Sequence, residues 1–554
     1  MAIVTGGEAL MDILQKEGVE YVFGIPGATE ANFMDILEDH PEFKYFLCLH
    51  ELAALGAAEG YARTSGKTGF VNLHTATGLA AALPSLANAY YGGVPLVITA
   101  GQQDTRLLAA EPALTGDLVK IASPFTKWST EIIHADDIPM IMRRAFRVAS
   151  HPPAGPVFVS LPINLINSSF DYEYVSGSPA FTKVHPDNDS IKLAVDFLAK
   201  AKNPAIIVED GVSKNEALTE VVEFAEKIGA KVYQPWMADV NFPVHHPLYM
   251  YDLNINSPAC RDMLEQVDVL VVIGALFFAQ AIHVPKCLVP PTTKVIQIDD
   301  NPWQIGKNYP VASGIEGDIK VALTDLMSAL DKKITAETRD AVKVRIQVIT
   351  QEKQGLVKAF EEKAQKEKEN TPISGTRLMQ EIRDAIKPGT RIVDDCWSYS
   401  ATLRRTLPLS EHRSYMRARS GGSIGLGLPG AIGVKLASPE RPVVCISGDG
   451  SAMWAIQSLW SAAHYNVPVT FIIIANTCYR QVRIMKSILL GEKNIGRNLG
   501  TDLSIPQNDF VKLAEGMGLT AQKVTEPGEL KDALEKAFNL NKPNLVEVAV
   551  DAAL

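Results

Sequence analysis

The sequence lacks the features that mark secreted, membrane-spanning and nucleic-acid-binding proteins. Its 554 residues include six scattered cysteines with no CxxC pair, which argues against disulfides or a zinc site and predicts a reducing, cytoplasmic setting. The longest apolar run, 269–279, is well short of the roughly 18 residues that span a bilayer. The first residues lack the basic and then apolar order of a secretory signal. A net charge of −10 makes general binding to a phosphate backbone unexpected.

The composition is that of a folded protein with a large core. Hydrophobic residues make up 47% and charged residues 21% of the chain. The length suggests about three to four domains at roughly 150 residues each. Short β-rich runs alternate with helical segments, which predicts an α/β fold of doubly wound parallel sheets covered by helices on both faces.

Three α/β units of similar size are predicted, at 1–170, 190–335 and 372–554. A polar, turn-rich stretch at 165–190 predicts a linker between the first two. Residues 331–371, dense in lysine and glutamate, predict a solvated connecting helix. The predicted strands are YVFGIPG, FKYFLCLH, TGFVNLHTATG, VPLVITAGQQ and PVFVSLP in the first unit, PAIIVED, AKVYQPW, VDVLVVIGAL and TKVIQIDDNP in the second, and RIVDDCW, RPVVCISGDG, VPVTFIIIAN and PNLVEVAV in the third.

One motif of the third unit carries chemistry. A strand ends in Gly448, Asp449 and Gly450, and after a predicted helix a second buried strand ends at Asn476. Adjacent parallel strands would bring Asp449 and Asn476 to one edge of the sheet, where their oxygens could share a magnesium ion. Gly450 permits close approach of the backbone, and the helix terminus can face an anion. The pattern therefore predicts a magnesium–diphosphate site.

The glycines have two alternative explanations, a simple turn and a dinucleotide-binding loop. A lone GDG is usually only a turn, but GDG followed by a helix, a buried strand and an asparagine is far more specific. A dinucleotide-binding Rossmann enzyme is the rival at the level of fold. No G-x-G-x-x-G follows a first strand, and GLGLPG at 425–430 precedes a strand instead. The magnesium–diphosphate interpretation is therefore preferred.

The motif resembles that of thiamine diphosphate-dependent enzymes, most closely the benzoylformate decarboxylase branch. The resemblance covers essentially the whole chain and rests on VFGIPGATE, FVNLHTATGLAAALPSLANAY, LVITAGQQDTR, KWSTE and GLPGAIGVKLASPERPVVCISGDGSAMWAIQSLWSAAHYNVP. It implies pyrimidine-binding, central and diphosphate-binding domains in that order. It also implies a homodimer or homotetramer, with the cofactor bound between the first and third units of different subunits.

The resemblance assigns residues to thiamine diphosphate and Mg²⁺. Glu51, at the start of the predicted helix 51–63, matches the acid that bonds the aminopyrimidine ring. The Gly422 carbonyl matches the bond to the 4′-amino group, and Ile424 the aliphatic residue that props the cofactor in its bent shape. The diphosphate contacts are Ser398, Gly448, Gly450, Ser451 and Tyr479, and the metal ligands are Asp449, Asn476 and the Cys478 carbonyl.

The reaction implied is non-oxidative decarboxylation of a 2-oxo acid to an aldehyde, with carboligation to an aldehyde as a side activity. His74, in NLHTATG, matches an active-site histidine that relays protons. The alternative within the superfamily is a carbon–carbon lyase or synthase, such as a 2-hydroxyacyl lyase or an acetolactate synthase-like enzyme. A cofactor-binding protein without turnover is the third hypothesis.

The sequence departs from the benzoylformate decarboxylase pattern at substrate positions. Ala28 replaces the serine that helps to bind the substrate carboxylate, and a methyl group cannot donate a hydrogen bond. The second catalytic histidine is missing at Ala281, with His283 two residues later as its possible substitute. Both departures favour the lyase or synthase.

Four arginines lie close in sequence to the predicted site, and the loop after the metal motif differs from the family pattern. Arg480 and Arg483 follow the metal motif, and Arg417 and Arg419 precede the GGS loop. They are expected at the surface or in ion pairs between subunits. A cationic pocket for polar or doubly anionic acids is the sharper hypothesis.

Overall fold

The computed structural model describes residues 2–173, 183–283, 287–491 and 496–553. Three six-stranded sheets follow one another along this part of the chain, and every pairing within them is parallel. Helices cover the sheets, so the predicted α/β class is confirmed. The domain boundaries remain predictions, and the strand Ser169–Tyr172 straddles one of them.

The first unit contains one six-stranded sheet and a small two-stranded sheet. Its strands are β1 Ala2–Thr5, β2 Tyr21–Gly24, β3 Lys44–Leu47, β4 Gly69–Leu73, β5 Leu96–Gln102, β6 Trp128–Glu131, β7 Val157–Pro162 and β8 Ser169–Tyr172. Its helices are α1 Gly6–Lys16, α2 Ala31–Glu38, α3 Glu51–Ser65, α4 Thr75–Gly92, α5 Leu118–Ala122, α6 Ile138–Ser150 and α7 Ile163–Ile166. The large sheet has the order β3-β2-β4-β5-β7-β6.

The second unit has a different strand order. Its strands are β9 Ala205–Val208, β10 Lys231–Pro235, β11 Tyr249–Leu253, β12 Val269–Ile273, β13 Lys294–Asp299 and β14 Ser313–Glu316, in the order β11-β10-β9-β12-β13-β14. Its helices are α8 Asn188–Leu198, α9 Gly211–Lys214, α10 Leu218–Ile228, α11 Pro258–Leu264, α12 Ile319–Asp331 and α13 Ala336–Lys366. This is the order of a Rossmann sheet, although no G-x-G-x-x-G follows its first strand, β9.

The third unit repeats the strand order of the first. Its strands are β15 Arg391–Asp395, β16 Tyr415–Arg417, β17 Val443–Gly448, β18 Thr470–Ala475, β19 Thr520–Val524 and β20 Asn544–Ala549, in the order β16-β15-β17-β18-β20-β19. Its helices are α14 Gly375–Ala385, α15 Ser400–Thr406, α16 Gly427–Ala437, α17 Asp449–Ala452, α18 Ser458–His464, α19 Arg480–Leu490, α20 Phe510–Gly516 and α21 Leu530–Asn539. Strand β4 of the first sheet therefore corresponds to β17 of the third.

The prediction of a linker at 165–190 is wrong for both ends of that stretch. Strand β8 pairs antiparallel with β1, from Ala2 opposite Tyr172 to Thr5 opposite Ser169. Helix α8 already begins at Asn188. Residues 174–182 lie outside the described ranges. The polar composition was misleading because β8 belongs to a two-stranded sheet with half-exposed faces, which needs few apolar residues.

The charged stretch 331–371 does form the expected connecting helix, since α13 runs for 31 residues and is mostly exposed. All six cysteines lie in the described ranges and are free thiols, as expected. No helix in the described ranges combines the length and hydropathy that crossing a bilayer requires.

Small residues bring the first and third units together. The backbone of α3 lies against that of α16: a Cβ atom at Gly60 would lie 2.1 Å from the Gly430 carbonyl oxygen, and one at Gly433 would lie 1.9 Å from that of Ala57. Only glycine permits such an approach. The crossing matters for function because α3 begins at Glu51 and α16 follows the loop that carries Gly422.

Candidate functional site

The predicted metal residues follow two neighbouring strands of the third sheet. Strands β17 and β18 pair in parallel, with Gly448 opposite Ile474, so Asp449 and Asn476 emerge at the same edge. Asp449 is 4% exposed, and its Oδ2 accepts a hydrogen bond from the Thr477 backbone nitrogen at 2.6 Å. The expected adjacency of the two strands is thus confirmed.

Both polar side chains are buried at this edge. Asn476 is 5% exposed, and its Oδ1 accepts a hydrogen bond from the Cys478 nitrogen at 3.0 Å. Burial raises the pKa of Asp449 to about 6, and backbone donors such as Gly450 oppose that shift. A cation beside the carboxylate would favour its charged form.

The donor set fits magnesium with a diphosphate. In the described part of the chain, no three His, Cys, Asp or Glu side chains gather into a metal site. The predicted shell has one carboxylate, one amide oxygen and one carbonyl, from Asp449, Asn476 and Cys478. Mg²⁺ commonly takes one or two carboxylates and completes its octahedron with phosphate and water oxygens. This arrangement suits a cation that arrives with an anionic ligand.

The turn after β17 has room beside it. A Cβ atom at Gly448 would meet nothing within 4 Å, whereas one at Gly450 would lie 2.5 Å from the Tyr479 ring. Gly450 is therefore needed for close packing, and the space lies beside Gly448. Ser451 is buried in α17, which spans only four residues and is followed by a second helix, α18, before β18.

The remaining predicted contacts of the third unit lie on two neighbouring loops. Gly422 has φ +69° and donates its N–H to the Arg419 carbonyl at 2.8 Å, in the loop between β16 and α16. Ile424 is half-buried in the same loop. Ser398 lies in the turn Trp397–Tyr399 after β15, and its carbonyl accepts a bond from Arg480 at 3.5 Å.

Glu51 is the first residue of α3 and is half-buried. A Cβ atom at Gly78 of α4 would lie 2.9 Å from Glu51 Oε1, so the carboxylate packs against the start of that helix. No hydrogen bond or ion pair to this carboxylate is found among the described residues. A half-buried carboxylate without a partner is suited to bonding a ligand.

His74 occupies the N-cap position of α4, directly after β4, and its side chain forms no capping hydrogen bond with that helix. Its Nδ1 lies 2.8 Å from Glu30 Oε2 and 3.2 Å from Thr29 Oγ1. Glu30 is 1% exposed and also accepts hydrogen bonds from the backbone nitrogens of Gly27 and Gly101, each at 2.9 Å. These contacts fix the orientation of the ring. Sequence analysis missed Glu30, although an acid three residues after the Gly27 turn was a visible signal.

The two substituted positions lie in different surroundings. Ala28 is exposed in the turn Ala28–Glu30, and a Cβ atom at the preceding Gly27 would lie 2.1 Å from His74 Nδ1, so this turn packs on the histidine. His283 is exposed in the loop after β12 and forms no hydrogen bond to any residue in the ranges described. Of these two residues, Ala28 lies on the turn beside His74, and His283 forms no hydrogen bond, among the residues that the structure describes, that would place it there.

The hypothesis of a cationic pocket built from four arginines stays a prediction, although each of these guanidinium groups has a hydrogen-bond partner within this chain. Arg480 donates to the Ala553 carbonyl at 2.6 and 2.9 Å, and Arg483 donates to Thr501. Arg417 and Arg419 are 2% and 4% exposed, so the expectation that they are surface charges is wrong. Their partners lie in the second unit: Arg417 donates to the Trp236 carbonyl and Arg419 pairs with aspartates.

Comparison with known proteins gives consistent results. Three family models match in order: the N-terminal TPP binding domain of thiamine pyrophosphate enzymes at 4–121, the central domain at 191–326 and the C-terminal TPP binding domain at 398–548. Thiamine pyrophosphate is another name for thiamine diphosphate. The matches follow the order of the three sheets.

Two relatives of different activity are equally similar. The acetolactate synthase large subunit of Haemophilus influenzae is 31% identical over 563 residues, covering 100% of this chain and 95% of the relative. The benzoylformate decarboxylase of Pseudomonas aeruginosa is 31% identical over 546 residues, covering 98% of each. Among solved structures, the thiamine diphosphate-dependent 4-hydroxybenzoylformate decarboxylase of Rhodococcus jostii has a TM-score of 0.86 at 28% identity, covering 99% of each chain.

Proposed function

Because this chain belongs to the thiamine pyrophosphate enzymes, which use thiamine diphosphate as cofactor, we propose that it decarboxylates a 2-oxo acid non-oxidatively to an aldehyde. Ligation of the same donor to a second aldehyde is the proposed side activity. Relatives of both kinds support a shared first half of the reaction, in which the 2-oxo acid loses CO₂.

The observation that carries the proposal is the contact between His74 and Glu30. Release of an aldehyde after loss of CO₂ requires a proton at the former carboxyl-bearing carbon. Nδ1 of His74 is engaged by the buried Glu30 carboxylate at 2.8 Å, which leaves Nε2 to exchange protons with a substrate. The imidazole is 21% exposed, so its ring is not enclosed by its own chain. A positioned imidazole of this kind is a general acid–base.

Thiamine diphosphate, when bound, supplies a nucleophilic carbon for the ketone and an electron sink for the pair released with CO₂. Glu51 would hold and exchange the proton at N1′ of the aminopyrimidine ring. Its carboxylate has no partner within the described chain and is half-buried, so desolvation strengthens a hydrogen bond to the ring. The Gly422 carbonyl and the Ile424 side chain would orient that ring.

The diphosphate would be held at the edge formed by β17 and β18. Asp449, Asn476 and the Cys478 carbonyl would bind Mg²⁺, and Ser451 and Tyr479 would contact phosphate oxygens. The proposal is supported by the hard oxygen donors and by the open space beside Gly448. The cation supplies the local positive charge that an acidic chain lacks.

The proposed assembly is a homodimer or homotetramer in which two subunits complete each site. Trp454 and Met453, just after α17, are 46% and 36% exposed. Trp454 lies against the Gly425 loop, where a glycine Cβ would come within 2.7 Å of its Cβ. Large apolar side chains beside a predicted cofactor site support a subunit contact there. Glu51 and Asp449 would then serve the same cofactor from different subunits.

A carbon–carbon lyase or synthase is the second candidate, and Ala28 favours it. The alanine lies on the turn that packs on His74 but offers no hydroxyl to a substrate carboxylate or a proton relay. Protonation matters less when a second carbonyl compound traps the donor. The relative named as an acetolactate synthase subunit supports this alternative.

One assay separates the candidates. The purified protein, loaded with thiamine diphosphate and Mg²⁺, is given a panel of aliphatic and aromatic 2-oxo acids, with and without an acceptor aldehyde, and CO₂ and products are measured. A decarboxylase releases CO₂ and aldehyde without acceptor. A synthase releases CO₂ with little free aldehyde and forms a ligated 2-hydroxy ketone or 2-hydroxy acid, because a second molecule of the 2-oxo acid or the added aldehyde traps the donor. Bound cofactor with no turnover on any donor would support the non-catalytic alternative and refute the proposal.

A further inference from the structure

The loop between β16 and α16 is attached to the first unit through its backbone. The Arg419 nitrogen donates to Asn88 Oδ1 at 2.7 Å, and Asn88 is fully buried in α4. A Cβ atom at Gly421 would lie 2.8 Å from both Cα and N of Asn88. The loop therefore lies in direct contact with α4 just before Gly422, the predicted contact of the aminopyrimidine ring.

The side chain of Arg419 attaches the same loop to the second unit. Its Nη1 lies 2.7 Å from Asp210 Oδ2, and its Nη2 forms an ion pair with Asp239 Oδ2. Arg63 of α3 donates to both oxygens of Asp239, at 2.8 and 3.0 Å. We call Arg63, Asp210, Asp239 and Arg419 the junction cluster, since it joins all three units.

The buried charges of the junction cluster restrict the positions that its side chains can adopt. Burial raises the pKa of Asp210, but Arg419 and Lys214 outweigh it and hold that pKa below its ordinary value. Arg63 also donates to the carbonyl of Arg417 at 2.9 Å, in β16 itself. Buried charges that lose a partner are costly, so the aspartates restrict where the Arg419 guanidinium can lie.

The far end of the loop is held separately. Asp395 Oδ2 accepts hydrogen bonds from the nitrogens of Gly425 and Gly427, at 3.0 and 3.1 Å. Gly422 and Ile424 thus lie on a short segment with a buried attachment on either side. The second unit contributes to the first of these attachments through Asp210 and Asp239.

We propose that Arg419 is a positioning residue: its ion pairs with Asp210 and Asp239 set the position of Gly422 and Ile424, and so couple the second unit to cofactor binding. The inference rests on the proposed role of these two residues toward thiamine diphosphate. Arg419 itself does not touch the cofactor or the reacting atoms. Lysine in its place would keep the charge, but a single ammonium group could not reproduce the separate contacts of Nη1 with Asp210 and of Nη2 with Asp239.

The test compares Arg419→Lys with a matched control, Arg404→Lys. Arg404 is also buried and also joins the third unit to the second, through Asp252 Oδ2 at 2.5 Å and the Ala238 carbonyl at 3.1 Å. It lies on α15 and not on the loop. The dissociation constant for thiamine diphosphate is measured with Mg²⁺ by tryptophan fluorescence, and amide exchange of 420–427 is measured in the cofactor-loaded protein.

Arg419→Lys is expected to weaken cofactor binding by about tenfold and to speed exchange of these amides by about tenfold, because the loop gains alternative positions. Asp210→Asn, a milder change, should act in the same direction if Arg419→Lys does not fold. Arg404→Lys should lower stability and leave both measurements unchanged. Wild-type values in Arg419→Lys and Asp210→Asn, or equal effects in Arg404→Lys, would overturn the inference. If the wild type binds the cofactor normally but turns over no substrate, the proposed function is refuted and the inference about Arg419 is not.

Discussion

His74 Nδ1 and Glu30 Oε2 are 2.8 Å apart, and Glu30 is buried to 1% exposure. The carboxylate also accepts bonds from the backbone nitrogens of Gly27 and Gly101, so it has little freedom to turn away. The proton of the neutral imidazole is therefore held at Nδ1, and Nε2 is the atom that can accept or deliver a proton. This resembles the way in which a carboxylate orients a catalytic histidine in other enzymes.

Glu30→Gln should lower kcat by roughly tenfold to a hundredfold, a part of what general acid–base catalysis contributes. Glutamine can still accept a hydrogen bond from Nδ1, but it has no charge to stabilise an imidazolium. Steady-state kinetics on the best 2-oxo acid, together with the dissociation constant for the cofactor, provide the measurement. Binding of thiamine diphosphate should be nearly unchanged.

The control for this change is Glu20→Gln, in an exposed pair with Lys67 of the same unit. It should leave kcat within about twofold of the wild type, because exposed ion pairs contribute little. Wild-type kcat in Glu30→Gln would remove His74 from the proposed proton transfer, or show that its orientation is fixed by Thr29 alone.

Glu51→Gln should keep the fold and diphosphate binding but lose most exchange of the cofactor C2 proton. The amide cannot take up and return the proton at N1′ as a carboxylate does. Exchange is followed by NMR after quenching the loaded protein in deuterated acid. Glu337→Gln, a first-turn glutamate of α13 far along the chain, is the control. Exchange at the wild-type rate in Glu51→Gln would contradict the assigned role.

Asp449→Ala should weaken retention of Mg²⁺ and thiamine diphosphate by at least about tenfold, the scale expected when a charged ligand is lost. The reason is that Asp449 is the one carboxylate of the predicted shell. Equilibrium dialysis at several Mg²⁺ concentrations measures the loss. Asp509→Ala, which removes the exposed cap of α20 and its ion pair with Lys512, should retain the cofactor as the wild type does. Equal retention by both variants would place the metal elsewhere.

The sequence predicted the central strands of the three large sheets and one edge strand, β3, but missed the other five edge strands. The five missed strands of the large sheets are β6, β11, β14, β16 and β19, and each lies at an edge or pairs with one neighbour only. Central parallel strands are buried on both faces and therefore appear as continuous apolar runs. Edge strands such as β6 and β19 are half-exposed and carry mixed residues. Apolar runs therefore located the sheets but not their full widths.

The residues of the candidate site also fall into those that the sequence could pair and those that it could not. Asp449 and Asn476 could be paired from the sequence, because a local motif and the rule for parallel strands bring them to one edge. The partners of Arg419 could not, since Asp210 and Asp239 belong to another unit and no spacing rule links them. The burial of such an arginine depends on how whole domains pack.

The raised pKa of Asp299 should make the stability of the protein depend measurably on pH. Burial, with Asp300 beside it, raises the pKa of Asp299 to about 7 in the folded protein. The folded state therefore binds more protons than the unfolded state between about pH 4 and pH 7, and unfolding free energy falls as pH rises through that window. The loss is on the order of 4 kcal/mol, at about 1.4 kcal/mol for each tenfold change in proton affinity. Asp299→Asn should flatten this fall.

Chemical denaturation at pH 5, 6, 7 and 8 measures the slope. Asparagine keeps an oxygen that can accept the bond from the Asn301 nitrogen, now at 2.9 Å. The control is Asp189→Asn, because Lys192 lowers the pKa of that exposed carboxylate and its contribution has the opposite sign. An unchanged slope in Asp299→Asn would show that Asp299 is ionised throughout the window.

Ala28→Ser tests whether the alanine favours ligation over release of the aldehyde. The turn that carries Ala28 packs on His74, and under the proposed function a hydroxyl there would bind the substrate carboxylate or join the proton relay. We expect CO₂ release without an acceptor to rise by about tenfold, the scale of one added hydrogen bond to a charged group. With an aldehyde acceptor present, the fraction of donor that ends in ligated product should fall. Ala31→Ser makes the same chemical change at an exposed position of α2 and should alter neither quantity. Unchanged product ratios in Ala28→Ser would mean that this side chain does not face the substrate, and Ala28 would then no longer favour the lyase or synthase.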